Sequence, residues 1–379
     1  MSFATLALVV AAGLLGPLLA TPKGWRVPML LGEIGAGVVL GKTGINRLHA
    51  TEPTFAFLAD IGFALVMFVA GTHVPMRDAR LKQSLRRGVT RACLVGAIAV
   101  PVGWAFSQAF GTGHPALYAV LLASSSAALI LPLVDALHLT GTDLLDLLAQ
   151  VAVADTVCIV ALPLAIEPSR AGTAALGALS VMAAAAVAFI CLRSAERSGA
   201  RKRLHHISEQ RKFALELRVS LLVLFALAAL ARATHVSIML AGFALGLAVT
   251  AVGEPHRLAR QLFALTEGFF GPLFFVWIGA SLDLRAFSSH PKYVALGLAL
   301  GAGAVLAHAA MSLTKQPRPL SVLTSAQIGV PIAAVALGTQ QHLLAPGEPA
   351  ALILGALVTV ASSSAAAILL SRRAPQTSV

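Results

Sequence analysis

Residues 144–165 read LLDLLAQVAVADTVCIVALPLA, an apolar run with Asp155 near its midpoint. Such a run is long enough to cross the roughly 30 Å hydrocarbon core of a bilayer as a helix. A carboxylate at that depth costs roughly 3 kcal/mol on insertion scales. A chain keeps such a group where something binds to it. The simplest candidates are a proton and a small cation.

The rest of the composition agrees with a membrane setting. Of 379 residues, 58% are hydrophobic and 12% charged. A soluble domain carries about 25% charged residues. The net charge of +12 would suit nucleic acid, but the positive residues sort by membrane side, which excludes that reading. Three widely spaced cysteines, Cys93, Cys158 and Cys191, form no disulfide framework or zinc pattern. No nucleophile–base pair points to an enzyme, and no cofactor motif is present. Residues 1–20 lack a basic leader and read as a retained span rather than a signal peptide.

Apolar runs separated by charge, Pro and Gly predict an all-α polytopic membrane protein with about 13 transmembrane helices. The expected spans are 2–20, 27–41, 54–71, 90–110, 115–137, 144–165, 172–192, 214–232, 235–252, 261–282, 292–313, 320–341 and 349–371. With the N-terminus outside, 22 of the 28 Lys and Arg residues fall on the cytoplasmic side. That bias is what the positive-inside rule requires, and it places the C-terminus in the cytoplasm. A bacterial inner membrane is the expected location. The largest basic cluster, residues 193–218, reads as a cytoplasmic connector with a secondary attraction for anionic lipid. Six spans lie on each side of a seventh that acts as a spacer, so the two halves face opposite ways, as inverted repeats do.

Two spans carry signals of a break. Span five contains LLASSSAALILPLV, with Ser124, Ser125 and Ser126 followed by Pro132. Span twelve contains VLTSAQIGVPIAAV, with Thr324, Ser325, Gln327, Gly329 and Pro331. Hydroxyls compete for backbone hydrogen bonds, and Pro removes a donor. Broken helices near mid-membrane expose helix ends and free carbonyls where an ion can bind.

Three further stretches carry a family likeness. They are VPMLLGEIGAGVVLG at 27–41, ADIGFALVMFVAGTHV at 59–74 and GFFGPLFFVWIGASLDL at 268–284. In order and spacing they resemble the second, third and tenth helices of the monovalent cation:proton antiporters. The likeness is to the second group of these, which includes sodium/proton and potassium/proton exchangers. It implies two inverted repeats with spans five and twelve crossed, a homodimer and an elevator motion. It implies dimerisation helices in 1–75 and 214–290, core helices in 76–170 and 291–379, and a linker helix with its connector in 171–213. It also implies that Asp155 is the essential carboxylate. The sequence departs from relatives in having Ala154 before that carboxylate, Ile328-Gly329-Val330 in span twelve, and no Lys in the core of span eleven, where His308 is the ionisable core group.

The expected site is therefore Asp155, shared by a proton and a monovalent cation, either Na+ or K+. Ser124, Ser125 and Thr156 are candidate ligands, and Gln150 a hydrogen-bonding group in the access path. Thr324, Ser325 and Gln327 face them from the opposing broken helix. On a helix Thr156 points about 100° away from Asp155, so its hydroxyl has the preceding turn as an alternative partner. His308 and Glu33 are candidate modulators. A single carboxylate predicts electroneutral exchange. The alternative reading is a proton- or sodium-coupled carrier of an organic solute or ionophore on the same fold, for which Ala154 leaves room.

Overall fold

The computed structural model describes residues 1–21, 29–72, 79–127, 129–130, 134, 142–167, 171–199, 214–234, 236–253, 256–285, 287 and 290–373. Every regular element among them is helical. The helices are α1 (Phe3–Gly13), α2 (Leu15–Ala20), α3 (Met29–Leu40), α4 (Pro53–Thr72), α5 (Ala79–Phe110) and α6 (Pro115–Ala123). They continue with α7 (Thr142–Ile166), α8 (Ala171–Arg197), α9 (Leu215–Ala233), α10 (Ile238–Val252) and α11 (His256–Leu265). The last are α12 (Gly271–Ser281), α13 (Lys292–Ala309), α14 (Arg318–Leu323), α15 (Gly329–Gln340) and α16 (Glu348–Arg373).

Among the described residues, 7 segments are long and apolar enough to cross a membrane. These are α4, most of α5, α7, α8, Gln261–Ser281, Lys292–Thr314 and most of α16. Phe3–Leu19, α3, α10 and α15 are shorter apolar helices. The helix α9 has spanning length but carries Glu216, Arg218 and Arg232 towards its ends. The fifth and twelfth expected spans are not continuous helices. Span five is interrupted after α6, and span twelve is split into α14 and α15. Pro132 lies outside the described residues.

The chain divides into two compact units, Met1–Arg77 with Gly172–Leu282, and Asp78–Ala171 with Asp283–Val379. In the first unit glycines set the helix spacing. Lipid offers no hydrophobic drive for helix pairing, so small residues that let backbones touch do that work. A Cβ on Gly37 of α3 would sit 2.1 Å from the Val276 carbonyl of α12, and one on Gly279 would sit 2.0 Å from the Ile34 carbonyl. Gly242 and Gly246 of α10 lie as close to α4, where an added Cβ would be 2.2 Å from the carbonyls of Ala64 and Phe68. Just before α12 the chain forms a π turn, Thr266–Phe270, in which the Gly271 N–H reaches the Thr266 carbonyl. Pro272 follows and has no N–H, so the regular ladder is interrupted there.

The second unit holds α5–α7 and α13–α16. A buried apolar cluster of Ala127, Ile130, Val134, Leu147, Val151, Leu320, Leu323, Ala326 and Ala367 joins the chain after α6 to α7, α14 and α16. Around it the two helix interruptions and Asp155 come together.

Candidate functional site

The serines end α6. Ser124 adopts an extended backbone, φ −73° and ψ 151°, and residues 124–126 are non-helical. Helical structure resumes at Ala127, with the Ser126 carbonyl accepting from the N–H groups of Leu129 and Ile130. The first amides of that new turn have no partner within the helix. Asp155 of α7 supplies one: its Oδ2 accepts from the Ala127 N–H at 3.0 Å. Asp155 is 4% exposed. A carboxylate at a helix start meets the positive end of the dipole, and a charge-assisted bond of this kind is worth roughly 1.5–3 kcal/mol.

The second interruption runs through residues 324–328. Pro331 falls in the first turn of α15, where its missing N–H costs no intrahelical bond. The two breaks bond directly to each other. Ser124 Oγ donates to Gln327 Oε1, and Ser125 Oγ donates to the Thr324 carbonyl at 2.6 Å. Thr324 Oγ1 lies 2.7 Å from the Ser321 carbonyl and 2.9 Å from His308 Nδ1, so it joins the break to α13. His308 is fully buried. Ser325 Oγ donates to the Val322 carbonyl at 2.7 Å and lies 3.4 Å from Ser363 Oγ. Thr359 of α16 meets Gln327 at both backbone atoms, accepting from its N–H at 3.4 Å.

Not every expected residue joins this group. Thr156 Oγ1 donates to the Ala152 carbonyl at 2.8 Å, which turns its hydrogen towards the preceding turn and away from Asp155. Thr156→Val is expected to leave thermal melting within about 1 kcal/mol of wild type, because its hydroxyl is spent on its own helix. Gln150 accepts from Gln316 Nε2 at 3.1 Å, and Gln316 in turn accepts from Ser321 at 3.3 Å. Gln150 Nε2 makes no hydrogen bond among the described residues. Glu33 lies in the first unit, on α3, where Gly16 leaves room for it: a Cβ there would be 2.9 Å from Glu33 Oε1.

Asp155 is the one carboxylate in this assembly, and hydroxyl, amide and carbonyl oxygens make up the remainder. Among the described residues no three His, Cys, Asp or Glu side chains gather as a metal-binding cluster. A single carboxylate among neutral oxygens suits a proton or a hard monovalent cation.

A family model described as "Sodium/hydrogen exchanger, transmembrane" matches residues 9–371. The chain belongs to the sodium/hydrogen exchanger family. As a member it is an integral membrane transport protein and not an enzyme. It is 26% identical over 274 residues to "Probable Na(+)/H(+) antiporter 3" of Methanocaldococcus jannaschii, covering 69% of this chain and 68% of that protein. It is 28% identical over 333 residues to "Na(+)/H(+) antiporter NhaS5" of Synechocystis, covering 83% of this chain but only 46% of that protein. The solved structure of the sodium proton antiporter MjNhaP1 from Methanocaldococcus jannaschii matches with a TM-score of 0.65 at 16% identity, covering 98% of both chains. The all-helical exchanger fold is thus shared along nearly the whole length.

Two polar pairings escaped the reading of the sequence. One is Arg91 with Asp146: Nη1 lies 3.4 Å from Asp146 Oδ2, while Nε donates to Thr314 Oγ1 at 3.1 Å. The other is Glu348, fully buried at the start of α16, which accepts from His114 at 2.8 Å and Tyr118 at 2.7 Å. The available signal for both was a charged residue at the edge of an apolar segment, which does not name its partner.

Proposed function

We propose that the protein is a secondary antiporter that exchanges Na+, or K+, for H+ by alternating occupancy of Asp155. The observation that carries this reading is the buried Asp155 carboxylate on the Ala127 N–H, beside two interrupted helices bonded to each other. The names of the relatives favour Na+ and H+ as the exchanged ions. An empty Asp155 is a charge that resists crossing a dry barrier. Neutralised by H+ or by a monovalent cation, it crosses. That rule alone couples the two fluxes, and one carboxylate makes the exchange one-for-one and electroneutral. Ser124, Ser125, Thr324, Ser325 and Gln327 hold the breaks in register, and His308 modulates them through Thr324.

In this proposal the second unit moves as an elevator against the first, and the first forms a homodimer in the bacterial inner membrane. The charge bias supports an N-terminus outside and a C-terminus in the cytoplasm. The end of the second unit with Arg91 and Asp146 then faces the cytoplasm, and the end with His114 and Glu348 faces outward.

Reconstitution into vesicles with a trapped pH dye tests the reading. Na+ is expected to dissipate an imposed pH gradient, with K+ and Li+ compared under the same conditions. If no cation dissipates it, the reading is lost. A cation-jump current on a solid-supported membrane would overturn electroneutral exchange and leave antiport standing.

A further inference from the structure

Glu348 is a buried carboxylate that the proposed exchange cycle does not use. Its Oε1 accepts from His114 Nδ1 at 2.8 Å and from the Tyr118 hydroxyl at 2.7 Å, and its Oε2 accepts from the Ala345 N–H at 3.0 Å. Glu348 and Tyr118 are fully buried, whereas the His114 side chain is 19% exposed. Of the three side chains, the imidazole is the one that reaches solvent.

The surrounding elements bring few other charges. Tyr293, in the first turn of α13, is close enough to Glu348 for their charges to interact. Lys292 beside it donates to the Phe110 carbonyl at 3.4 Å and lies over the Tyr293 ring. His290 precedes α13, with its ring 6.2 Å from that of Tyr293. The last ten residues of α5, 101–110, carry no ionisable side chain; Glu167 and His342 follow the ends of α7 and α15. Only His114 among the ionisable cations is hydrogen-bonded to Glu348 in the described residues.

The position of the cluster gives it leverage. His114 is the residue before α6, and Ser124 is the residue after it. Nine helical residues separate the Glu348 contact from the first break, a rigid rod of roughly 14 Å. We infer that His114, Tyr118 and Glu348 form a second proton-binding site, distinct from Asp155, that anchors α6 and makes cation affinity depend on the pH at that face. This rests on the exchanger reading above, including the outward orientation of this face.

The sign follows from the partner. The hydrogen bond to Glu348 is the largest influence on His114 and raises its pKa above the ordinary imidazole value, against the opposing effect of burial. Stabilisation from the ion pair is therefore complete below the ordinary value of about 6.5 and is lost as pH rises through the raised one. Neutral His114 leaves the Glu348 charge to Tyr118 and Ala345, and α6 loosens. Proton competition at Asp155 acts in the opposite sense, since raising pH there favours the cation.

The test is Na+-dependent exchange in right-side-out vesicles, with internal pH clamped and external pH stepped from about 6 to about 8.5, across the histidine range. For wild type the apparent KM for external Na+ is expected to fall and then turn upward on the alkaline side. His114→Gln stays neutral at every pH, so it should begin with weaker affinity in acid and show no upturn. Superimposable profiles for the two proteins, or an upturn that follows internal pH, overturn the inference. Thermal melting in detergent judges the site even if no cation is exchanged. Wild type should lose stability as pH rises through the raised His114 value, and His114→Gln should not. Tyr118→Phe, which removes one donor to the carboxylate, should move that step to higher pH. A wild-type melt without such a step overturns the site.

Discussion

Asp155→Asn is expected to abolish cation-driven proton exchange and to leave the protein folded. Asn matches Asp in size, and its side-chain carbonyl can still accept from the Ala127 N–H, so the restart of span five keeps its partner. What the variant lacks is a second charge state. It is neutral whether or not an ion is present, so neither a proton nor a cation changes what the barrier sees. In the pH-dye assay the Na+ response should fall to that of vesicles without protein. Melting should stay close to wild type, within about 2 kcal/mol, the size of one charge-assisted hydrogen bond. Retention of a sizeable Na+ response by Asp155→Asn would remove this carboxylate from the mechanism and with it the single-site account of coupling. A lost response together with a large drop in melting would mark Asp155 as a structural cap of the broken helix.

Asp155 and the two breaks were legible in the sequence because each is a local violation. A carboxylate inside an apolar run and a triple serine inside a predicted helix announce themselves without knowledge of neighbours. Thr156 shows the limit of such reading. It stands next to Asp155 in sequence, but helical geometry turns it outward, and its hydroxyl takes the Ala152 carbonyl. Partners remote in sequence were harder still. Gln150 and Gln316 are 166 residues apart, and His114 and Glu348 are 234 apart. Pairing of that kind is decided by how α6, α7, α14 and α16 pack, and no local pattern encodes it. The shape of Gly37 and Gly279 was visible as a glycine-rich pattern in two stretches, yet their mutual contact emerges only when α3 and α12 lie backbone to backbone.

Arg91 and Asp146 carry the largest stability effect expected outside the ion site. Asp146 is 1% exposed, and its Oδ1 has no hydrogen-bond partner among the described residues. Two guanidinium groups approach Oδ2 at 3.4 Å, but they are not equivalent. The Arg87 side chain is 69% exposed, so water screens its attraction and its long chain loses entropy when held. The Arg91 side chain is 8% exposed and also ties Thr314 through Nε and Nη2, linking α5 and α7 to the turn after α13. Arg91→Met leaves a buried carboxylate with only a solvent-screened neighbour, a change that costs about 3–5 kcal/mol in comparable cases. Arg87→Met should cost no more than about 1 kcal/mol. The pair Arg91→Met with Asp146→Leu removes both charges together, and replacing a buried ion pair by apolar groups is often close to neutral, so much of the lost stability should return. Thermal melting of the four proteins in one detergent decides the matter. If Arg87→Met is the more damaging single change, or if the double variant melts no higher than Arg91→Met, then the cost does not come from an uncompensated charge on Asp146. The remaining explanation would be the Thr314 contact, which Arg91→Lys could satisfy only in part, because an ammonium lacks the planar fork that reaches Asp146 and Thr314 at once.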